Sequence, residues 1–203
     1  VGTQTGPTWG IDRTDQRALP LDTSYAYPDS AGSGVTAYVI DTGILAGHTE
    51  FGGRVRVGYD AVTSGGSAID CNGHGTHVSG TIGGSTYGMA KSITLVPVRV
   101  LDCTGSGTTT AILAGIDYVI ADHAAGTPAV ANLSLGYNGA VSTVDTAIGN
   151  LVADGVTTAI AAGNSNADAC NYTPARAPSA ITVGATTSSD ARASYSNYGS
   201  CLD

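Results

Sequence analysis

Two short motifs place a carboxylate and an imidazole where they could act together on a hydroxyl group. The apolar run 35–40 ends in Asp41, which is followed by Thr-Gly. Such a run predicts a buried strand with Asp41 at its carboxyl end, the edge at which open α/β sheets place their active sites. His74 opens a segment of small residues, 73–84, which predicts a helix packed closely on that sheet. An imidazole that takes a proton from a hydroxyl, held by a buried carboxylate, is what nucleophilic catalysis needs.

A third motif could supply a hydrogen-bond donor to the same site. Ala161-Ala162-Gly163 is a run of small residues that ends in the amide of Asn164. A donor fixed at the end of a strand suits an oxyanion that forms only in the transition state, where one donor contributes about 3–4 kcal/mol. Asn alone is common in turns. The interpretation therefore depends on its combination with Asp41 and His74.

Three other kinds of site fit these motifs poorly. The single Asp-Thr-Gly is followed by Ile44, and an aspartic protease needs two such carboxylates. His74 and His77 have a spacing that could suit zinc, but the glutamate of a His-Glu-x-x-His motif is missing. A dinucleotide loop at 105–107 is excluded because Thr110 replaces its third glycine.

Composition indicates one globular domain, residues 1–203, with a sizeable core. The chain is 42% hydrophobic and 12% charged, and its net charge of -8 comes with no basic cluster. Nucleic acid is therefore excluded as a partner. No run of eighteen apolar residues occurs, so a membrane is not expected either.

Periodicity predicts strands that alternate with helices, and hence a parallel sheet covered on both faces by right-handed crossovers. The fold class is α/β, with three layers and a mostly parallel central sheet. The histidines at 48 and 123 receive no role. Strands are expected at 35–40, 54–59, 94–101, 130–135, 156–161 and 180–185, and helices at 73–84, 109–123 and 142–155, the last opening with a capping box at 142–145.

The four cysteines have no C-x-x-C pair, so a zinc ribbon is absent and three disulfide connectivities are possible. We favour Cys71 with Cys103 and Cys170 with Cys201, because each pair flanks one structural unit. Loops of that length would contribute about 3–4 kcal/mol each in the chain-entropy model. Disulfides favour an extracellular location. The alternative is four reduced, buried thiols.

Oxygen-bearing side chains are concentrated near the N-terminus, at Asp12, Asp15, Gln16 and Asp22. Their spacing could hold Ca²⁺, which prefers hard oxygen ligands. The alternative is a solvated helix start with surface carboxylates. The residues alone leave both open.

Taken together, four motifs resemble those of the subtilisin-like serine proteases, and most closely the proteinase K and aqualysin-like subfamily. They are Asp-Thr-Gly, Asn-Gly-His-Gly-Thr-His, Ser134-Leu135-Gly136 and Ala-Ala-Gly-Asn, and the similarity runs from about Trp9 to Asp203. The resemblance implies that Asp41 is the triad aspartate, His74 the general base and Asn164 the oxyanion donor.

The same resemblance implies how substrate and calcium are bound. Ser134-Leu135-Gly136 and Ala161-Ala162-Gly163 match the walls of the primary specificity pocket, and Gly105-Ser106-Gly107 matches the edge that pairs with the substrate backbone. Small walls and main-chain pairing imply broad specificity with an apolar or aromatic preference. The cysteines fall where the aqualysin-like branch has its two disulfides. The implied calcium ligands are the carbonyls of Pro178 and Ala180 and the carboxylate of Asp203 at one site, and Asp12, Asp15, Gln16 and Asp22 at another.

The chain departs from the family at the nucleophile. The family's serine lies in Gly-Thr-Ser-Met-Ala, and no Gly-Thr-Ser occurs between Val1 and Asp203. We expect the N-terminal portion of a secreted, calcium-stabilised, monomeric protease, made as a zymogen whose propeptide is cleaved, and inactive without the C-terminal segment that carries the serine. The rival hypothesis is a non-catalytic fragment or pseudoenzyme that only binds peptides.

Overall fold

A six-stranded parallel sheet forms the centre of the molecule, for which a computed structural model describes residues 1–203. In chain order the elements are β1 (Gly2–Thr5), α1 (Trp9–Asp12), β2 (Ser24–Tyr27), β3 (Thr36–Asp41), β4 (Tyr59–Asp60), α2 (His74–Gly83), β5 (Thr94–Arg99), α3 (Thr109–Asp122), β6 (Ala129–Leu133), β7 (Tyr137–Asn138), α4 (Ser142–Ala153), β8 (Thr157–Ala161), β9 (Tyr172–Thr173) and β10 (Ile181–Val183). From one edge of the central sheet to the other, the strands follow the order β10, β8, β6, β3, β5, β4. Two small antiparallel sheets, β1 with β2 and β7 with β9, lie outside it.

The central strand β3 is formed by the unbroken apolar run of the sequence. It pairs in parallel with β5 on one side and β6 on the other, and every residue from Ala37 to Asp41 is buried. A strand covered on both faces needs continuous apolar residues rather than alternation. Asp41 is the last residue of this strand, as predicted, and it is fully buried.

Helices cover the sheet on both sides, which confirms the three-layer α/β class. On one face α3 and α4 bury a cluster of 20 residues that includes Ile40, Ile116 and Ile148. On the other face α2 packs over β3 and β5. That second face stays open at β10, where Ile181 is 47% exposed and Val183 54% exposed.

Two local predictions were wrong, and one pair of strands was not predicted, because contacts from distant segments override the local pattern. Residues 1–33 contain the β1–β2 pair, where Tyr25 is buried and stacks on Tyr27 with ring centroids 5.5 Å apart. Of the strand expected at 54–59 only β4 forms, together with an isolated bridge at Val55. The capping box at 142–145 is absent. The N-cap residue of α4 is Val141, which donates its N–H to Thr173 Oγ1 at 3.1 Å.

Both disulfides form with the predicted pairing, Cys71–Cys103 and Cys170–Cys201. They span 32 and 31 residues, so each closes a loop of the length assumed from the sequence. None of the helices is both long and apolar enough to cross a membrane.

Candidate active site

The predicted carboxylate and imidazole meet at the carboxyl edge of the sheet. His74 is the first residue of α2, and its Nδ1 lies 2.8 Å from Asp41 Oδ1 and 2.9 Å from Oδ2. Asp41 Oδ1 also accepts a hydrogen bond from the N–H of Thr42 at 2.7 Å. The Asp41 side chain is fully buried, whereas the His74 side chain is 48% exposed. The ring is therefore anchored on its Nδ1 side and accessible on the other.

Close approach of α2 to β3 depends on a glycine next to the histidine. A Cβ at Gly75 would stand 2.2 Å from the carbonyl oxygen of Gly43 and 3.1 Å from Asp41 Oδ1. Gly43 itself has φ +104°, a conformation that side chains rarely adopt. The glycines of the two motifs thus allow the imidazole to reach the buried carboxylate.

Asp70 holds the first turn of α2, and the sequence analysis missed it. Its Oδ1 accepts from the N–H groups of Asn72 and Gly73 at 2.9 Å, and its Oδ2 accepts from the N–H of Thr76 at 2.9 Å. Burial alone would raise the pKa of the Asp70 carboxyl, but these hydrogen bonds hold that pKa below its usual value. The carboxylate therefore satisfies amides that the helix start leaves without partners.

Asp70 also ties the helix to the strand that carries Asp41. Thr42 Oγ1 donates to Asp70 Oδ1 at 2.9 Å and accepts from the N–H of Gly75 at 2.8 Å. Thr76 Oγ1 donates to Asp70 Oδ2 at 2.6 Å. The only sequence signal for this role is a carboxylate four residues before His74.

A cleft of about 460 Å³ opens beside His74. The predicted substrate edge, Gly105-Ser106-Gly107, forms one side, and Ser134-Leu135-Gly136 forms the other. Leu101 and Ile112 contribute apolar side chains to the lining. The structure thus places both predicted segments in the cleft that contains the imidazole.

Asn164 lines a neighbouring cleft of about 300 Å³. Ala161-Ala162-Gly163 and Ser134-Leu135-Gly136 contribute to its wall, so the second segment is shared by both clefts. β8 ends at Ala161, and Asn164 follows in an exposed loop. Because β3, β6 and β8 run in parallel, the imidazole, the shared wall and the amide lie along one edge of the sheet.

Comparison with known proteins agrees with this geometry. Residues 32–203 match the Subtilase family. The chain belongs to the subtilase family. It is 62% identical over 98% of its length to "Extracellular serine proteinase" from Thermus sp. (strain Rt41A), and 58% identical over 98% to "Alkaline serine exoprotease A" from Vibrio alginolyticus. It covers 48% and 37% of those two relatives, so it spans about half their length or less.

A solved structure supports the subtilase fold directly. It is described as a cold adapted subtilisin-like serine proteinase and superposes with a TM-score of 0.92 at 54% sequence identity. The match covers 98% of this subtilase chain and 71% of the solved one.

The predicted substrate edge of the subtilase chain is a turn held by hydrogen bonds to one carboxylate. Asp102 Oδ1 accepts from the N–H groups of Thr104 at 2.8 Å and Ser106 at 3.0 Å, and from Thr104 Oγ1 at 2.7 Å. The Thr104 hydroxyl, with the two amides, lowers the pKa of the Asp102 carboxyl. Gly105 takes φ +81° within this turn. Asp102 is a second residue that the sequence analysis did not identify.

The predicted calcium residues of the subtilase are only partly brought together. No group of three or more His, Cys, Asp or Glu side chains is placed to hold a metal. Asp15 accepts from the N–H of Ala26, and Asp22 from that of Ser24. Asp12 is different, because it is 2% exposed and its Oδ1 has no hydrogen-bond partner. Gln16 instead donates its amide to the carbonyls of residues 18 and 20.

The second predicted calcium group lies at β10. Asp203 Oδ2 accepts from the N–H of Thr182 at 2.8 Å, and the Asp203 N–H donates to the Thr182 carbonyl at 3.1 Å. The Asp203 carboxylate is therefore anchored at Thr182, which lies two residues after Ala180 in the sequence. Pro178 is exposed and Ala180 buried.

The two histidines without an assigned role have structural partners. His123 is buried, with Nδ1 2.7 Å from Asp154 Oδ2 and Nε2 3.0 Å from the carbonyl of Thr127. The Thr127 carbonyl, followed by Asp154, raises the pKa of His123. His48 accepts the N–H of Glu50 through Nδ1 at 3.2 Å.

The largest cavity of the subtilase chain, about 710 Å³, is not the one beside His74. It is lined by His48, Phe51, His77 and Met89, among others. The smaller cleft, in contrast, contains the imidazole and both predicted peptide-binding segments.

Proposed function

We propose that this chain supplies most of the active site of a serine endopeptidase that hydrolyses peptide bonds in proteins. The observation that carries the proposal is the hydrogen bond from His74 Nδ1 to the buried carboxylate of Asp41. This bond fixes the tautomer in which the other ring nitrogen is a base, and the carboxylate stabilises the imidazolium that forms. The geometry therefore suits activation of a hydroxyl nucleophile.

In the proposed reaction the hydroxyl comes from a serine in the remaining C-terminal segment of the same enzyme. His74 accepts the serine proton as the serine oxygen bonds to the scissile carbonyl carbon. Asn164 donates a hydrogen bond to the oxyanion of that tetrahedral species. His74 then protonates the leaving amine as the C–N bond breaks, and water hydrolyses the acyl-enzyme by the same steps. The 203-residue chain by itself is then inactive.

Substrate recognition follows from the two clefts. The 105–107 edge offers backbone groups to an extended peptide, which reads main chain rather than side chains. Leu101, Ile112 and Leu135 give the first cleft an apolar lining. Small residues at 161–163 leave space in the second. Broad specificity with an apolar or aromatic preference is the result we expect.

We also propose a secreted, monomeric enzyme, matured from a zymogen by loss of a propeptide and stabilised by one or more calcium ions. Two disulfides and an extracellular relative support secretion. For calcium, the buried Asp12 Oδ1, which has no hydrogen-bond partner, suits a cation, and Asp15, Gln16 and Asp22 follow it in the sequence as further oxygen-bearing residues. The ion would neutralise a buried carboxylate and hold the N-terminal segment.

The test uses the full-length enzyme, a peptide p-nitroanilide substrate and a serine-directed phosphonyl fluoride. We expect substrate cleavage, and one covalent adduct on a serine outside the 203 residues. His74→Ala should abolish both. If peptides bind to the 105–107 and 134–136 segments with neither cleavage nor adduct, the protein is the peptide-binding pseudoenzyme instead.

A further inference from the structure

Asn197 contacts both ends of the loop that presents Asn164. Its Nδ2 donates to the carbonyl of Ala162 at 2.8 Å, before the amide. Its Oδ1 accepts from the N–H groups of Ser165 at 2.9 Å and Ala167 at 3.1 Å, after the amide. The Asn197 side chain therefore bridges the loop across the position of Asn164.

The backbone of Asn197 adds a fourth contact, and burial makes the whole set costly to break. Its N–H donates to the carbonyl of Gly163 at 2.9 Å. Asn197 is fully buried, and a buried amide that loses its partners cannot replace them with water. One buried residue thus satisfies four backbone groups within residues 162–167.

The loop sequence is adapted to this contact. Gly163 has φ +105°, and a Cβ there would stand 2.4 Å from Asn197 Nδ2. Only glycine lets the Asn197 amide reach the Ala162 carbonyl. The glycine of the Ala-Ala-Gly-Asn motif therefore has a tertiary reason that the motif alone does not show.

The segment that carries Asn197 is itself fastened to the same loop. Tyr198 donates its N–H to the Ala167 carbonyl at 3.0 Å and accepts from the N–H of Ala169 at 2.8 Å. The Cys170–Cys201 disulfide links the two segments a few residues further on. These contacts hold Asn197 in place without involving the Asn164 side chain.

We infer that Asn197 is a positioning residue, which sets the oxyanion-binding geometry by fixing the backbone on either side of Asn164. The inference rests on the proposed function, because it assigns Asn164 the oxyanion. Asn197 touches neither substrate nor oxyanion in this role. Its contribution to kcat must pass through Asn164, and this separates a positioning role from a general contribution to folding.

A double-mutant cycle in the full-length enzyme tests the inference. We expect Asn197→Leu to lower kcat by about 10- to 10²-fold, with KM changed less than about threefold, because a displaced donor loses transition-state stabilisation only. In the Asn164→Ala background the same substitution should lower kcat less than about threefold. An equal loss in both backgrounds, or no loss in either, would overturn the inference.

Thr158→Val is the matched control. It removes a buried hydrogen bond near the start of β8, from Thr158 Oγ1 to the carbonyl of Val156 at 3.1 Å, which does not involve residues 162–167. We expect the thermal midpoint to fall while kcat stays within about twofold. If Asn197→Leu does not fold, the same cycle is run with Asn197→Ala, which removes the same side-chain hydrogen bonds without adding bulk and should show an equally coupled loss.

Two further measurements separate this inference from the proposed function. An inactive wild-type enzyme contradicts the proposed function, whereas an active enzyme with an additive cycle contradicts only the role of Asn197. Amide hydrogen exchange at Ser165 and Ala167 needs no activity. Exchange there should be at least about tenfold faster in Asn197→Leu and unchanged in Thr158→Val, and unchanged exchange in the leucine variant would overturn the inference.

Discussion

The two halves of the candidate site are positioned by different means. On the His74 side, a strand and a helix position the side chains. The last residue of β3 meets the first residue of α2, and Asp70 is hydrogen-bonded to both segments. On the Asn164 side, the proposed oxyanion donor lies three residues beyond the end of β8, in a loop. Its geometry depends on the buried side chain of Asn197.

This difference corresponds to what each half must do. A base needs one fixed contact and an exposed second nitrogen, and the end of a strand beside a helix start supplies both. An oxyanion donor must point at an atom that exists only in the transition state, so its direction matters more than its burial. A braced loop can set that direction without adding a side chain to the cleft.

The largest effect should come from the side built on regular elements. His74→Ala removes the only base we assign, and we expect kcat to fall by about 10⁶-fold, a magnitude that comes from subtilisin itself. His77→Ala, on the same helix and exposed, should retain activity within about threefold. Comparable losses in the two variants would mean that the helix, and not the imidazole, is what matters.

The loop side should give a smaller effect. Asn164→Ala should lower kcat by about 10²–10³-fold with KM nearly unchanged, again a magnitude known from subtilisin. Steady-state kinetics on a peptide p-nitroanilide measures it. A rise in KM at constant kcat would assign Asn164 to substrate binding and would contradict its role as the oxyanion donor.

The link between strand and helix should affect stability first. Asp70→Asn replaces a carboxylate that accepts five hydrogen bonds, and we expect a loss of about 2 kcal/mol in the free energy of unfolding. Because the folded pKa of Asp70 is lowered, the stabilisation is present above the ordinary aspartate pKa of about 3.9. It disappears as the pH falls through the lower folded value.

Thermal unfolding of both proteins at pH 7 and at pH 3 measures this effect. The control is Asp117→Asn, at an exposed position of α3, which should change the free energy of unfolding by less than about 0.5 kcal/mol. An Asp70→Asn enzyme as stable as the wild type would show that the carboxylate is dispensable to the helix start.

The smallest effect should lie outside the site, at His123. Its folded pKa is raised, so its stabilisation is complete below the ordinary histidine pKa of about 6.5 and is lost as the pH rises through the folded value. His123→Gln should therefore lower the thermal midpoint by about 2–4 °C more at pH 5.5 than at pH 9. An equal fall of the thermal midpoint at the two pH values would contradict this expectation.

The sequence by itself predicted the alternation of strands and helices in the central sheet and the position of Asp41 at the end of β3, and it favoured the disulfide pairing that forms. An unbroken apolar run that ends in Asp41, and small residues after His74, are local signals that depend only on burial and period. They predicted β3 and α2 to within a residue or two. The motifs likewise selected the segments that line the two clefts.

Only the tertiary structure decided which buried polar groups brace the site. Asp70 contacts Thr42 across 28 positions, and Asn197 contacts Ala162 across 35. Outside the site, Asp154 contacts His123 across 31 positions in the same way. The sequence does not indicate which partner a polar side chain has, because the partner depends on which distant segments pack together. For the same reason the β1–β2 pair and the start of α4 differed from their local patterns.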